Sequence, residues 1–248
     1  MIMTILLLCV SIILTPSTGS VAQMAMKGTG KQGRMLFYSS AISANGLSCN
    51  NCHADFDEDK YSDGLRRPGH SLFNAAGRKT WWGQEKNDVD VYPDVSHAAI
   101  VCVEHFMRNS IKLTAQQMLN LQAYLQGITR QSTSNPLAIT PSADKTGLYA
   151  GFDGGDKIRG RNLFHSACHT CHPNGNSGIG PALPRNQAAS FYARKIREGD
   201  GLGKVLSGID PNAYDPQSGM YMPFFGADRL SNHEVRDIIS FIKTLPGP

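Results

Sequence analysis

The sequence predicts a mostly α-helical chain made of two similar units joined by a linker. Three observations carry this: the chain repeats itself once, each copy closes with a capped amphipathic helix, and alternating β-branched runs are scarce. Its 248 residues leave room for two units, each near the roughly 100-residue size of a small domain. Apolar residues make up 41% and charged residues 18%, so ordinary cores can form and disorder is not the default.

The chain opens with Met1 to Leu14, nearly all apolar, and the first charged side chain is Lys27. Pro16 breaks the run, and Ser20 and Ala22 supply the small residues that signal peptidase requires. Residues 1–22 therefore read as a secretory signal cleaved after Ala22, although its start carries no Lys or Arg. The run is short for a bilayer, so no stable membrane span is expected after cleavage. Cys9 leaves with the signal, and the remaining chain is expected in the periplasm or another exported compartment.

The first unit covers residues 23–135, a linker 136–150, and the second unit 151–248. The first copy runs Gly33-Arg34-Met35-Leu36-Phe37 and reaches Cys49-Asn50-Asn51-Cys52-His53. The second runs Gly160-Arg161-Asn162-Leu163-Phe164 and reaches Cys168-His169-Thr170-Cys171-His172. The closing helices span Leu113 to Leu125 and Leu230 to Ile242. Thr114 and Ser231 are placed as N-caps, with Gln117 and Glu234 three residues on as in a capping box. Met118, Leu121 and Leu125 share one face, as do Val235, Ile238 and Ile242. Polar, Pro-containing sequence from Gln131 to Asp144 marks the linker. The long stretches between the helices imply a large prosthetic group packed inside each unit.

Cys-x-x-Cys-His names that group. Two thiols two residues apart reach the two vinyl groups of one haem, and the adjacent His offers a nitrogen to its iron. Zinc sites and dithiol centres also use Cys-x-x-Cys, but neither needs the His. Both copies carry it, at the same point of a repeat, in an exported chain. Cys49, Cys52, Cys168 and Cys171 are thus the anchors of two covalently bound haem c groups, and His53 and His172 the proximal iron ligands. The fold class becomes mostly α, with two cytochrome c-like haem domains joined by a linker.

The second unit resembles class I cytochrome c domains from about Gly151 to Leu245. The resemblance rests on Cys168-His169-Thr170-Cys171-His172, on Gly180-Pro181-Ala182-Leu183 and on Met222-Pro223-Phe224. It implies that Pro181 braces His172 and that the Met222 sulfur is the distal ligand, with Met220 as a rival two residues away. Met/His ligation raises the potential and closes the iron to substrate, which suits electron transfer.

The first unit has no Met-Pro. Counting eight residues back from Leu113, the spacing of Met222 before Leu230, lands on His105; Met107, His70 and His97 are further candidates for the distal position. Cys102 is the remaining one. With Cys9 removed and four thiols on haem, it has no disulfide partner in an oxidising compartment. The first unit loosely resembles the thiosulfate dehydrogenases, in which a Cys follows Cys-x-x-Cys-His by some fifty residues and precedes a helix ending in Ala-Tyr. That resemblance implies Cys102 as an iron-bound thiolate. Trp81 and Trp82 read as haem-packing or core aromatics, and Arg66, Arg67 and Arg78 as solvated groups or partners of haem propionates. The run Asp55, Asp57, Glu58, Asp59, Asp63 reads as a solvated loop or a dock for a basic redox partner.

The formal charge of +4 is shared evenly by the halves, with no clustered basic face, which excludes nucleic-acid binding. The expected function is a periplasmic dihaem c-type cytochrome passing single electrons between redox partner proteins. The alternative is an oxidoreductase of thiosulfate dehydrogenase type that turns over a small sulfur-containing substrate at the first haem. A dihaem peroxidase is weaker, since its fingerprint is not evident.

Overall fold

The computed structural model describes residues 26–78, 81, 92–110, 112–131, 142–210 and 222–246. The expected signal, residues 132–141 of the linker region, Trp82 and Met220 lie outside them. The described residues form helices and turns without a strand, so the mostly α expectation holds. The first half contains α1 (Gly30–Tyr38), α2 (Cys49–Cys52), α3 (Val95–Val101) and α4 (Ala115–Gly127). The second contains α5 (Lys157–Ala167), α6 (Ala189–Glu198), α7 (Leu202–Leu206) and α8 (Asn232–Ile242).

Each half is organised by its first helix crossing its last, α1 on α4 and α5 on α8. The repeated Gly-Arg explains how they cross. A Cβ at Gly33 would sit 1.9 Å from the Asn120 carbonyl oxygen, and one at Gly160 would sit 1.9 Å from that of Asp237. Only glycine lets the two backbones approach that closely. The crossing is then pinned by a side chain of the last helix. Asn120 Oδ1 accepts from the Thr29 amide at 2.9 Å, and Asp237 Oδ1 accepts from the Asp156 amide at 2.7 Å. Thr29 and Asp156 are the N-caps of α1 and α5, so the same contact fixes a helix start and a helix crossing. Phe37 and Phe164, four residues after each glycine, fill equivalent buried positions.

The last helices begin as the sequence predicts. Thr114 with Gln117, and Ser231 with Glu234, form reciprocal capping boxes. Leu121 and Leu125 of α4 are buried, as are Val235, Ile238, Ile239 and Ile242 of α8. Residues 142–150, read as linker, pack onto the second half: Tyr149 is buried and its hydroxyl donates to Glu198 Oε1 at 2.9 Å.

The halves meet through both polar and apolar contacts. The Arg229 guanidinium forms a two-pronged pair with Glu58 at 2.9 Å on each oxygen, and its Nε donates to the Arg67 carbonyl. The Arg66 amide donates to the Ser166 carbonyl, and its guanidinium lies 3.3 Å from Glu234. Cys171 and Ile179 of the second half pack on the first-half cluster of Ile42, Leu47, Val103, Met107 and Leu113.

Gly160→Ala pushes a methyl group into the α8 backbone. It is expected to cost about 1–3 kcal/mol, the usual range for overpacking, while Arg161→Ala at the exposed neighbouring site stays within about 0.5 kcal/mol. Thermal unfolding followed by far-ultraviolet circular dichroism checks both.

Candidate haem sites

In the first half, the anchor Cys49–Cys52 is a single helical turn that α1 and the following loop hold in place. Arg67, a residue read from sequence as solvated or propionate-binding, is only 3% exposed and braces this turn instead. Its Nε donates to the Asn50 carbonyl at 2.8 Å, and both terminal nitrogens bind Asp63, at 3.1 and 2.6 Å.

His53 follows the anchor. Its Nδ1 lies 2.7 Å from the His70 carbonyl oxygen, and the equivalent Nδ1 of His172 lies 2.8 Å from the Pro181 carbonyl oxygen. A carbonyl only accepts, so each Nδ1 carries the proton and each Nε2 keeps its lone pair. Burial pushes the His53 imidazole down to about 4 and lowers His172 as well, so both rings are neutral at ordinary pH. Beneath each ring lies a glycine backbone. A Cβ at Gly69 would sit 2.3 Å from His53 Cε1, and one at Gly180 would sit 2.4 Å from His172 Cε1. Gly69-His70 thus does for His53 what Gly180-Pro181 does for His172. The role of Pro181 resides in its carbonyl, and His70, a candidate for the distal position, sits on the side of the proximal ring. Its own ring Nε2 lies 2.5 Å from Asp228 of the second half.

An apolar cavity opens against Cys49, Cys52 and His53, walled by Leu72, Val95, Phe106 and Leu125 among others. Trp81 lines it while its indole N–H donates to the Ala75 carbonyl. Arg78 lines it too, donating to the Ser71 carbonyl at 2.9 Å, and burial lowers its pKa. Cys102, Met107 and His70 line the same cavity, whereas His97 and His105 are not among its walls. His97 instead pairs with Asp94 at 2.9 Å. Cys102 opens a π-helical turn, Cys102–Phe106, that directly continues α3. The wide turn is closed by the Met107 amide donating to the Cys102 carbonyl at 2.8 Å. Such one-turn π segments recur at functional sites because they redirect side chains within a helix. Burial pushes the Cys102 thiol well above its usual range, so a thiolate there requires a cation to hold it.

In the second half, Cys168, Leu183 and Met222 pack on the buried cluster that includes Phe164, Tyr192, Ile196 and Leu230. Met222 and Cys168 therefore border one core. Burial pushes the thiols of Cys49, Cys52 and Cys168 up to about 11, 12 and 12, and none of these cysteines forms a disulfide. Uncharged sulfur is favoured at these positions, which suits a thioether better than a thiolate cage. Cys171 of the second anchor packs against Ile42, Leu47, Val103, Met107 and Leu113 of the first half, so the second anchor borders the first half's core.

The acidic run after His53 is largely committed internally. Asp55 accepts from the hydroxyls of Tyr38 and Tyr124, Asp57 pairs with Lys60, Glu58 with Arg229 and Asp63 with Arg67. That leaves little of it for docking a partner.

Residues 158–246 match the family model described as Cytochrome c. Over this stretch the chain is similar to cytochrome c domains. No curated protein matches the chain. The matched cytochrome c domain takes in nearly all of α5, the anchor, His172, Pro181, Met222 and α8, and the match supports a haem-based electron carrier with covalently bound haem c over that stretch. Its donor set fits the group: a neutral imidazole with a free Nε2, two uncharged thiols and a glycine cradle. Among the described residues no helix is long and apolar enough to cross a membrane.

Gly180→Ala has no room beside the His172 ring. It is expected to disturb the haem spectrum of the cytochrome c domain and to cost about 1–3 kcal/mol. Gly69→Ala is expected to disturb only the first site. Electron-spin-resonance spectra of the two oxidised variants, each compared with the unmodified protein, separate the effects.

Proposed function

We propose that the protein is a periplasmic dihaem c-type cytochrome that passes single electrons between redox partner proteins. The observation that carries this reading is the repeated histidine geometry. Both halves present Cys-x-x-Cys-His with Nδ1–H on a backbone carbonyl, Nε2 free and a glycine under the ring. Only residues 158–246 match the family model, so the first half earns its haem from this geometry and from the apolar cavity beside Cys49 and His53.

When bound, haem supplies a one-electron couple, and the chain tunes it through ligands, burial and exclusion of water. In this reading His172 and Met222 hold the second iron, and His53 and Cys102 the first, with the thioethers on Cys49, Cys52, Cys168 and Cys171. A neutral thioether favours ferrous iron, whereas a thiolate favours ferric. The pair is then asymmetric, and electrons rest on the second half. The packing of Cys171 on the first-half core supports transfer between the halves.

A second reading, an oxidoreductase of thiosulfate dehydrogenase type, is favoured by Cys102 and by the Arg78 cation at the same cavity. A guanidinium there attracts a small sulfur-containing anion, although a haem propionate would use it equally well. Ferricyanide reduction driven by thiosulfate distinguishes the two: sustained turnover selects the enzyme, and none selects the carrier.

The mass of the processed chain is expected to exceed the polypeptide by two haems that resist acid-acetone extraction. An increment of one would confine the reading to the cytochrome c domain. Met222→Ala is expected to abolish the thioether-to-iron band and to lower that potential by more than about 59 mV, a tenfold shift in one-electron preference. Cys102→Met is expected to raise the other potential by a similar amount and to change one low-spin resonance while sparing the second. If Met107→Ala lowers that potential and changes the resonance while Cys102→Met alters neither, the first ligand is Met107.

A further inference from the structure

Arg197 is 0% exposed and is the largest fully buried side chain among the described residues. It sits in the last turn of α6. Nη1 donates to the carbonyls of Phe225 at 2.8 Å and Gly226 at 3.2 Å, and Nη2 donates to Asn232 Oδ1 at 2.7 Å, at the start of α8. Its Nε is buried without a hydrogen-bond partner. Desolvation lowers its pKa to about 10, which leaves it charged at ordinary pH. Burying a guanidinium in this way is costly, and an apolar side chain of similar size would pack at least as well.

The neighbours of Arg197 show what the charge is used for. The Ile196 carbonyl accepts from the Phe225 amide at 2.8 Å. Two residues after Arg197, Gly199 adopts φ +61°, and a Cβ there would sit 2.4 Å from the Met222 carbonyl oxygen. Ile196, Arg197 and Gly199 therefore grip the segment Met222 to Gly226 at both of its ends. An arginine fork can span two carbonyls and a side-chain amide at once, which a lysine cannot.

We infer that Arg197 is a positioning residue for Met222, clamping the 222–226 segment so that the Met sulfur stays closed on the second site. The inference rests on Met222 being the ligand there. The thioether is a neutral ligand on a loop, and its persistence depends on how rarely that loop opens. Arg197 ties the loop to α6 and α8 together, so opening requires breaking hydrogen bonds of a charged donor.

The test uses the holoprotein, with imidazole as the probe that enters when the Met segment opens. Arg197→Met is expected to raise the rate of imidazole binding at the second haem by about tenfold or more. It should also weaken the thioether-to-iron band and lower that potential, at unchanged haem mass. Arg197→Lys is expected to restore part of each, because an ammonium reaches one carbonyl. Asn232→Ala, at an exposed helix start, keeps Arg197 buried and is expected to shift the same readings in the same direction by less. If Arg197→Met, or Arg197→Lys and Asn232→Ala should the first not fold, lowers only the melting temperature, Arg197 is a packing group and the inference is overturned. A band absent from the unmodified protein, or one that survives Met222→Ala, defeats the ligand assignment itself, which is a different result.

Discussion

A hydrogen bond from an imidazole Nδ1–H to a backbone carbonyl sets the terms for both sites. It fixes the tautomer, leaves Nε2 with its lone pair, and lets a buried ring remain neutral without losing its polar partner. The carbonyl can stand there only if the backbone carrying it runs close under the ring. That demands a glycine immediately before it, Gly69 in one half and Gly180 in the other. Proline follows in one case and histidine in the other, because the carbonyl does the work and the side chain is free to vary. In the first half the spare side chain is used: His70 turns its ring to Asp228 and helps join the halves.

The helix crossings provide the frame on which these loops rest. In each half, close contact of a glycine with the last helix and one side-chain oxygen on an N-cap amide lock the first helix to the last. The anchor follows the first helix, and the segment carrying Cys102 or Met222 precedes the last. Locking the two helices therefore sets the separation of the two faces of the site. The second half pairs a carboxylate, Asp237, with its crossing, and Arg159 balances that charge at 2.9 Å. The first half uses the neutral Asn120 at the same point and needs no such partner.

The segment from Met222 to Arg229 belongs to both halves. Met222 packs in the core beside Cys168, while Pro223, Phe224, Gly226, Asp228 and Arg229 wall the cavity beside His53. Its far end is tied by Arg229 to Glu58 and by Asp228 to His70. The acidic run after His53 follows from the same arrangement. A string of carboxylates looks like a solvated or docking loop, yet Glu58 and Asp63 are partners of arginines that brace the halves and the anchor.

The sequence by itself determined the helical class, the repeat, the two Cys-x-x-Cys-His motifs and the capping boxes at Thr114 and Ser231. These are local: each depends on residues a few positions apart, so spacing alone reports them. It also marked Gly33 and Gly160 as equivalent without saying why. Only the tertiary structure decided which carbonyl holds His53, because Gly69-His70 lies sixteen residues beyond it, and the second half uses half that distance. The same holds for the cavity beside His53. Of the five residues open along the chain as candidates, Cys102, Met107 and His70 line it, and His97 and His105 do not, while the His70 carbonyl holds His53. Cys102 opens a π-helical turn, and a turn wider than that of an α-helix leaves no mark in a hydrophobic period. Arg67 and Arg197 were illegible for a related reason. An arginine reads as surface until the fold shows backbone carbonyls converging on it, and those come from segments far away in the chain.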